Sequence, residues 1–307
     1  MKFSGIINAL LSPFNLVLLR RRKLDEMLKK ANAAGDFVGS DRAVSISNDR
    51  AREIMRHQIA AKWEVVDFML RNLVEKKTHR MCPLCEFESF DTDFEKFTSH
   101  CIFGGGLLVR NKCPACDVIF GDDKILQLSK SELSHDYEWH YKVYDEGDST
   151  TQEIRAFYSL NPSKEKIYLN YGAGTWSNSI QQLRDQGWNV YGFEPHGSAS
   201  KADSHLISDY AALESMRFDG IFSNNVLEHI RYPVAELVML KKLLKAGGSM
   251  AHATPCYEYL YEFTRFHLFF YLGRSRNYLM GKAGLIMTNY IEDGEFMCAI
   301  MVPDADQ

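Results

Sequence analysis

The chain has 307 residues, of which 46% are hydrophobic and 25% charged, and its formal net charge is −4. That length can hold one large domain and a smaller one, and the composition is that of a globular soluble protein. The slightly acidic balance excludes a global basic field that would gather nucleic acid. The seven cysteines are an odd number, and five of them fall between Cys82 and Cys116. With no signal-peptide cleavage pattern, this predicts a reducing, cytoplasmic setting and a metal site, not a disulfide framework.

Residues 3–19, FSGIINALLSPFNLVLL, are mostly apolar and run into Arg20-Arg21-Arg22-Lys23. Ser12-Pro13 and Asn15 break the run, so it is too short to cross a bilayer, which needs about 20 apolar residues. Residues 1–23 can instead lie on the inner face of an anionic membrane, or pack on the protein's own core. Ala31 to Asp41 reads as a loop, and Asn48 to Glu75 as one long helix. Met55, Ile59, Val66, Met69 and Leu73 follow a heptad seam that Lys62 interrupts. A helix lying across its own chain is favoured over a homo-oligomer through residues 48–75. Trp63 and Phe68, off the seam, predict burial on more than one side.

Cys82-Pro83-Leu84-Cys85 and Cys113-Pro114-Ala115-Cys116 are two C-P-x-C turns in one short stretch. Each holds two thiolates on a tight knuckle, so together they can complete a tetrahedral shell around structural zinc. His100 and Cys101 lie between them and could replace a knuckle cysteine. A full cysteine shell leaves no open position, and in a piece this small the metal would supply much of the folding free energy, on the order of 10 kcal/mol. Leu126 to Tyr144 is rich in aromatic and charged residues, and 145–149 reads as a hinge.

Ile167 to Pro195 reads IYLNYGAGTWSNSIQQLRDQGWNVYGFEP. A buried strand enters the turn Asn170-Tyr171-Gly172-Ala173-Gly174, and a helix follows with Trp176, Ile180 and Leu183 on one face. Gly187 closes that helix, and a second strand, Asn189 to Phe193, ends on Glu194. This is the pattern of a nucleotide-binding βαβ unit, whose glycines admit a ligand and whose acid can bind a ribose diol. Ser177 replaces the third glycine of the dinucleotide pattern. Leu206 to Asp209 predicts a third strand ending on an acid, and Phe218 to Ile230, FDGIFSNNVLEHI, a fourth that delivers Asn224 to its carboxyl end. A helix over Pro233 to Lys245, a fifth strand over Ser249 to Ala253, and a last helix and strand pair over Tyr278 to Val302 follow.

Three of these stretches together resemble the class I S-adenosylmethionine (SAM)-dependent methyltransferases. The glycine loop resembles their motif I, with Asn170 where the family usually has an acid. Val226-Leu227-Glu228-His229 resembles the V-L-E-H signature of one branch. Leu244-Lys245-Ala246-Gly247-Gly248 is similar to their L-K-P-G-G turn. The resemblance covers about residues 150–302. It implies an α/β, Rossmann-like seven-stranded sheet, here behind an N-terminal helical and zinc-knuckle region. It implies SAM bound near Asn170, Gly172, Ala173, Gly174, Glu194, Asp209 and Asn224. Asp209 could instead be a simple turn or cap residue. It makes His229 and His267 the candidate bases for an oxygen acceptor, with a helix-anchoring role as the alternative for His229. Tyr137 and Tyr141 are lid candidates, unless their segment is simply a packed linker.

The expected organisation is an apolar and basic segment over 1–30, a helical region over 31–80, a zinc module over 81–120, a linker or lid over 121–150, and the methyltransferase domain over 151–307. The order of parts is similar to sugar C-methyltransferases that carry a cysteine-zinc module ahead of the same fold, without their large C-terminal domain. The N-terminus resembles enzymes of surface-polysaccharide assembly. These resemblances point to a sugar or glycan acceptor, O-methylated. RNA, protein or small-molecule methylation and a non-catalytic scaffold are the rivals, and no basic stripe with interleaved aromatics supports RNA.

Overall fold

The computed structural model describes residues 41–73, 77–145, 147–174, 177–195, 205–260 and 262–306, with side chains from 48 onward except at 73 and 130. The apolar-basic segment and Trp176 lie outside the described residues.

A seven-stranded sheet is the centre of the fold. Its strands are β6 (Ile167–Tyr171), β7 (Asn189–Phe193), β8 (Leu206–Ile207), β9 (Phe218–Asn224), β10 (Leu244–Ala253), β12 (Leu285–Asp293) and β13 (Phe296–Pro303). Their order is β12-β13-β10-β9-β6-β7-β8. The five strands from β6 to β10 run parallel, and β13 and β12 close the edge antiparallel. Both faces are covered, which is why β6 and β13 read as nearly continuous apolar runs.

Alternation along each strand divides the core. Tyr168, Val190, Phe222 and Ala251 pack with Ala156 and Phe157 of α4 (Thr150–Tyr158) and Leu183 of α5 (Ser179–Asp185). Leu169, Phe193, Ile221 and Met250 face the other side, with Leu213 of α6 (Tyr210–Glu214), Leu237 and Leu240 of α7 (Pro233–Leu243), and Leu279 of α8 (Ser275–Lys282). The chain leaves β6 toward β7 and returns to pair β9 on the opposite side, so the strand order reverses at β6. The crevice at the carboxyl ends of those strands is where open α/β sheets hold ligands.

The N-terminal half is not an independent layer. After the hairpin β1 (His79–Met81) and β2 (Glu88–Phe90), a four-stranded antiparallel sheet runs β11-β5-β4-β3. Its members are β3 (Glu95–His100), β4 (Leu107–Lys112), β5 (Ile119–Gly121) and β11 (Phe269–Phe270). Phe269 pairs with Phe120, and Phe270 with Ile119. The expected boundaries at 120 and 151 are therefore crossed by a strand from the C-terminal half. Arg110, almost wholly buried, extends this join by donating to the carbonyls of Glu262 (2.7 Å) and Thr264 (2.6 Å).

The long helix α1 (Asp41–Leu73) begins earlier than the expected Asn48, at the end of the stretch read as a loop. Met55, Ile59 and Trp63 are buried within the chain, α1 packing beside α3 (Lys130–Val143). Lys62, the residue that broke the heptad seam, reaches Asp136 of α3 at 2.9 Å. Phe68 is 58% exposed, against the expectation of burial, because neighbouring elements cover α1 along one side only. The 121–150 stretch contains α3, started by a capping box in which Ser129 and Glu132 satisfy each other's backbone N–H groups. Among the described residues no helix is long and apolar enough to cross a membrane.

Candidate active site

The glycine loop leaves β6 at the reversal point. Gly172 and Gly174 both adopt left-handed backbone, with φ of +72° and +63°. A Cβ on Gly172 would sit 2.6 Å from Val226 Cγ2, so the loop can lie against the V-L-E-H turn only with glycine there. A Cβ on Gly174 would meet nothing within 4 Å, so this side of the loop is open. The amides of Gly172 and Ala173 both donate to the Phe193 carbonyl, at 2.9 and 3.0 Å. Glu194, next in the chain, accepts from the Gly174 amide at 3.0 Å. The acid at the end of the second strand thus touches the loop.

Asn170 is wholly buried beneath the loop. Its amide donates to Glu153 Oε2 (2.5 Å) and Ser179 Oγ (3.2 Å). Glu153 also accepts from Ser177 Oγ (2.8 Å), Ser179 Oγ (2.5 Å) and Ser149 Oγ. Burial pushes its carboxyl up, and these donors oppose that. The acid missing at position 170 is therefore replaced by a carboxylate from α4. Sequence reading missed Glu153; its signal is that it shares the inward face of α4 with Ala156 and Phe157, where an acid needs partners.

Asn224 ends β9, with its Nδ2 buried and unpartnered among the described residues. Asp209 is exposed and caps α6, accepting from the Ala212 amide at 3.0 Å, which is the cap alternative. The open side of Gly174, the carboxylate of Glu194 and the orphaned amide of Asn224 suit a nucleoside with a diol and an adenine-type base.

Beyond this crevice lies a second group. Leu227–His229 form one 3-10 turn after β9. His229 Nδ1 is 2.9 Å from the Tyr137 hydroxyl of α3, and its ring meets His267 edge to face at 4.8 Å. Burial and the neighbouring His267 hold the His229 imidazole well below its usual value, against a hydrogen bond with the Phe266 backbone, so it is neutral near pH 7. Tyr137 stacks on Phe266 at 4.1 Å. Tyr141 is one turn further along α3, 6.0 Å from Tyr137 ring to ring. The two candidate histidines and the first lid tyrosine thus meet in one place.

The cysteine knuckles share one backbone design. Cys82 N donates to the Phe87 carbonyl at 2.8 Å, and Cys113 N to the Val118 carbonyl at 2.9 Å. Glu86 and Asp117, each four residues after the first cysteine, take left-handed backbone at φ 63° and 70°. The four sulfurs of Cys82, Cys85, Cys113 and Cys116 lie within 4.8 Å of one another. Cys82 and Cys116 are 3.8 Å apart, and Cys85 and Cys113 3.6 Å. A zinc tetrahedron with bonds of about 2.3 Å has edges of about 3.8 Å, so the donors fit. A hydrogen bond with Cys116 draws the Cys82 thiol down, while the same bond pushes the Cys116 thiol up and burial raises that of Cys113. His100 and Cys101 are not in this group.

Residues 145–285 match the family model described as a methyltransferase domain. The protein carries a methyltransferase domain. Comparison with curated proteins gives no match. Among solved structures, the methyltransferase is similar to the 1,6-didemethyltoxoflavin-N1-methyltransferase of Burkholderia thailandensis, at 12% identity and a TM-score of 0.45, over 63% of this chain and 94% of that one. It is also similar to the CcbJ methyltransferase of Streptomyces caelestis, at 12% identity and a TM-score of 0.40, over 54% and 95%. A third is the mitomycin 7-O-methyltransferase MmcR, at 12% and 0.42, where the match covers 59% of this methyltransferase and 60% of that chain.

Proposed function

We propose that the enzyme methylates a hydroxyl oxygen of a sugar or glycan in surface-polysaccharide or related biosynthesis, working in the cytoplasm at the inner face of the membrane. SAM would supply a methyl group on a sulfonium that is its own leaving group. The residues then have three tasks. Glu194 accepts from the ribose diol, Gly172 to Gly174 let the backbone come close, and Asn224 offers its unpartnered amide to the base. His229 takes the acceptor's proton, and Tyr137 fixes the orientation of that imidazole. Zinc at Cys82, Cys85, Cys113 and Cys116 is structural and holds the sheet to which β11 is added.

The observation that carries this reading is the neutral, half-buried His229 between Tyr137 and His267, in the turn after β9 that begins with Val226 against Gly172. A polar pocket of imidazole and phenol suits a hydroxyl acceptor, and alignment of acceptor and methyl can supply about 7–11 kcal/mol of barrier reduction. The cysteine module ahead of the fold, and the apolar-basic segment before it, favour a glycan over other hydroxyl compounds.

The test is methyl transfer from tritiated SAM to separated glycan, RNA and protein fractions. Label in the glycan fraction, lost in the His229→Ala variant, supports the reading. Label only in RNA or protein overturns the substrate, and absence of SAM binding by calorimetry overturns the donor site.

A further inference from the structure

Glu228, Cys256 and His267 come from three segments: the turn after β9, the turn after β10, and the stretch leading into β11. One carboxylate oxygen, the thiol sulfur and one imidazole nitrogen lie within 4.8 Å of one another. Cys256 Sγ and His267 Nδ1 are 3.8 Å apart. In a zinc tetrahedron the corresponding edge is about 3.6 Å, so a small movement closes it.

The carboxylate supplies a second observation. Glu228 is wholly buried, and its Oε1 accepts from Thr254 Oγ1 at 2.7 Å. Its Oε2 is buried with no partner among the described residues. A buried carboxylate oxygen is rarely left this way, and a missing cation is one standard reason. The surrounding backbone is already fixed for the purpose. Leu268 N donates to the Glu228 carbonyl at 2.7 Å, and Tyr271 N to the Cys256 carbonyl at 2.8 Å.

We propose that Glu228, Cys256 and His267 form a second metal site, a three-ligand zinc position distinct from the four-cysteine centre. The donor set of one oxygen, one sulfur and one nitrogen is drawn from the usual zinc ligands. Three protein ligands leave a fourth position for water or substrate, whereas four thiolates leave none. Glu228 and Cys256 are buried and His267 is half-buried, and the His267 ring also meets that of His229. Resting on the O-methylation reading, an ion held there would supply Lewis acidity to an acceptor hydroxyl, whose proton would go to His229 as its oxygen bonds the methyl carbon and the carbon–sulfur bond breaks to leave a neutral thioether.

The experiment measures metal content by plasma mass spectrometry on the full chain, after incubation with zinc and gel filtration, alongside SAM affinity by calorimetry. Two zinc ions per chain are expected. Cys256→Ser and His267→Gln should each hold one, with SAM affinity unchanged within twofold. Cobalt substitution should show the four-thiolate spectrum in all three proteins and a second, single-thiolate spectrum in the wild type alone. One ion per chain in the wild type, unchanged in both variants, overturns the proposal and identifies Glu228 as a protonated buried acid. Loss of SAM binding in the wild type would instead count against the donor site, whatever the zinc count.

Discussion

The Tyr137 hydroxyl lies 2.9 Å from Nδ1 of His229, across 92 positions of sequence. One residue belongs to the helix after the cysteine module and the other to the turn after the fourth strand of the main sheet. The imidazole is therefore oriented by a part of the chain outside the sheet. Tyr137→Phe keeps the stacking on Phe266 and removes the bond. Turnover should fall roughly tenfold, the equivalent of about 1.4 kcal/mol, with SAM affinity unchanged. Steady-state kinetics beside calorimetry checks both halves.

Glu194→Ala should weaken SAM binding by roughly 10–100-fold, the loss of hydrogen bonds to a charged group. The protein should remain folded, because the side-chain bond of 3.0 Å to the Gly174 amide holds the loop and not the core. Calorimetry and far-ultraviolet circular dichroism together decide this; wild-type affinity in the variant would remove Glu194 from the donor site.

Glu153 should behave differently, since it holds three serines and Asn170 at once. Glu153→Ala leaves a buried amide and hydroxyls unmatched, so a stability loss of about 1–3 kcal/mol is expected in urea unfolding. SAM affinity should fall with it, because Ser177 and Ser179 end the glycine loop. Stability equal to the wild type would show that the network is not needed.

The His229 titration gives a signed prediction. Its folded value lies below the usual 6.5, so the imidazole is already neutral above that pH. The acid limb of the activity profile should therefore fall below pH 6.5, not at it. For stability, the unfolded chain binds the extra proton, so the contribution of His229 is complete above 6.5 and is lost as pH falls toward the folded value. Urea midpoints of the wild type and His229→Gln, compared at pH 5 and pH 8, should converge at pH 5.

Removal of zinc is expected to act at a distance. Cys113→Ser should release the four-cysteine ion and expose residues 77–126 to limited proteolysis, since a structural zinc carries on the order of 10 kcal/mol. Because β5 pairs with β11, acceptor turnover should drop while SAM binding persists. Full activity in a zinc-free variant would separate the module from the acceptor side.

The main sheet was readable because its signals are local. Ile167–Tyr171 is a short apolar run closed by two glycines, and Asn189–Phe193 a second one ending on Glu194. The knuckles were readable for the same reason. What escaped depends on convergence of distant segments. Glu153 gains meaning only when α4 lies under the loop, and Phe269-Phe270 is too short to announce a strand. Asp209 could be read as ligand or cap from sequence, and its bond to the Ala212 amide shows the cap. Phe68 was read as buried from its position off the heptad seam, but which side of a helix is covered is decided by its neighbours.

The two-residue strand at Phe269-Phe270 also limits how such an enzyme can be rearranged. A cysteine module transplanted from a relative would bring a β5 edge fitted to a different partner, leaving the loop with His267 poorly seated. On the proposed acceptor site, exchange of acceptor preference would need both ends of the gene to move together, and a chimera joined near residue 150 should keep its donor chemistry while losing its acceptor.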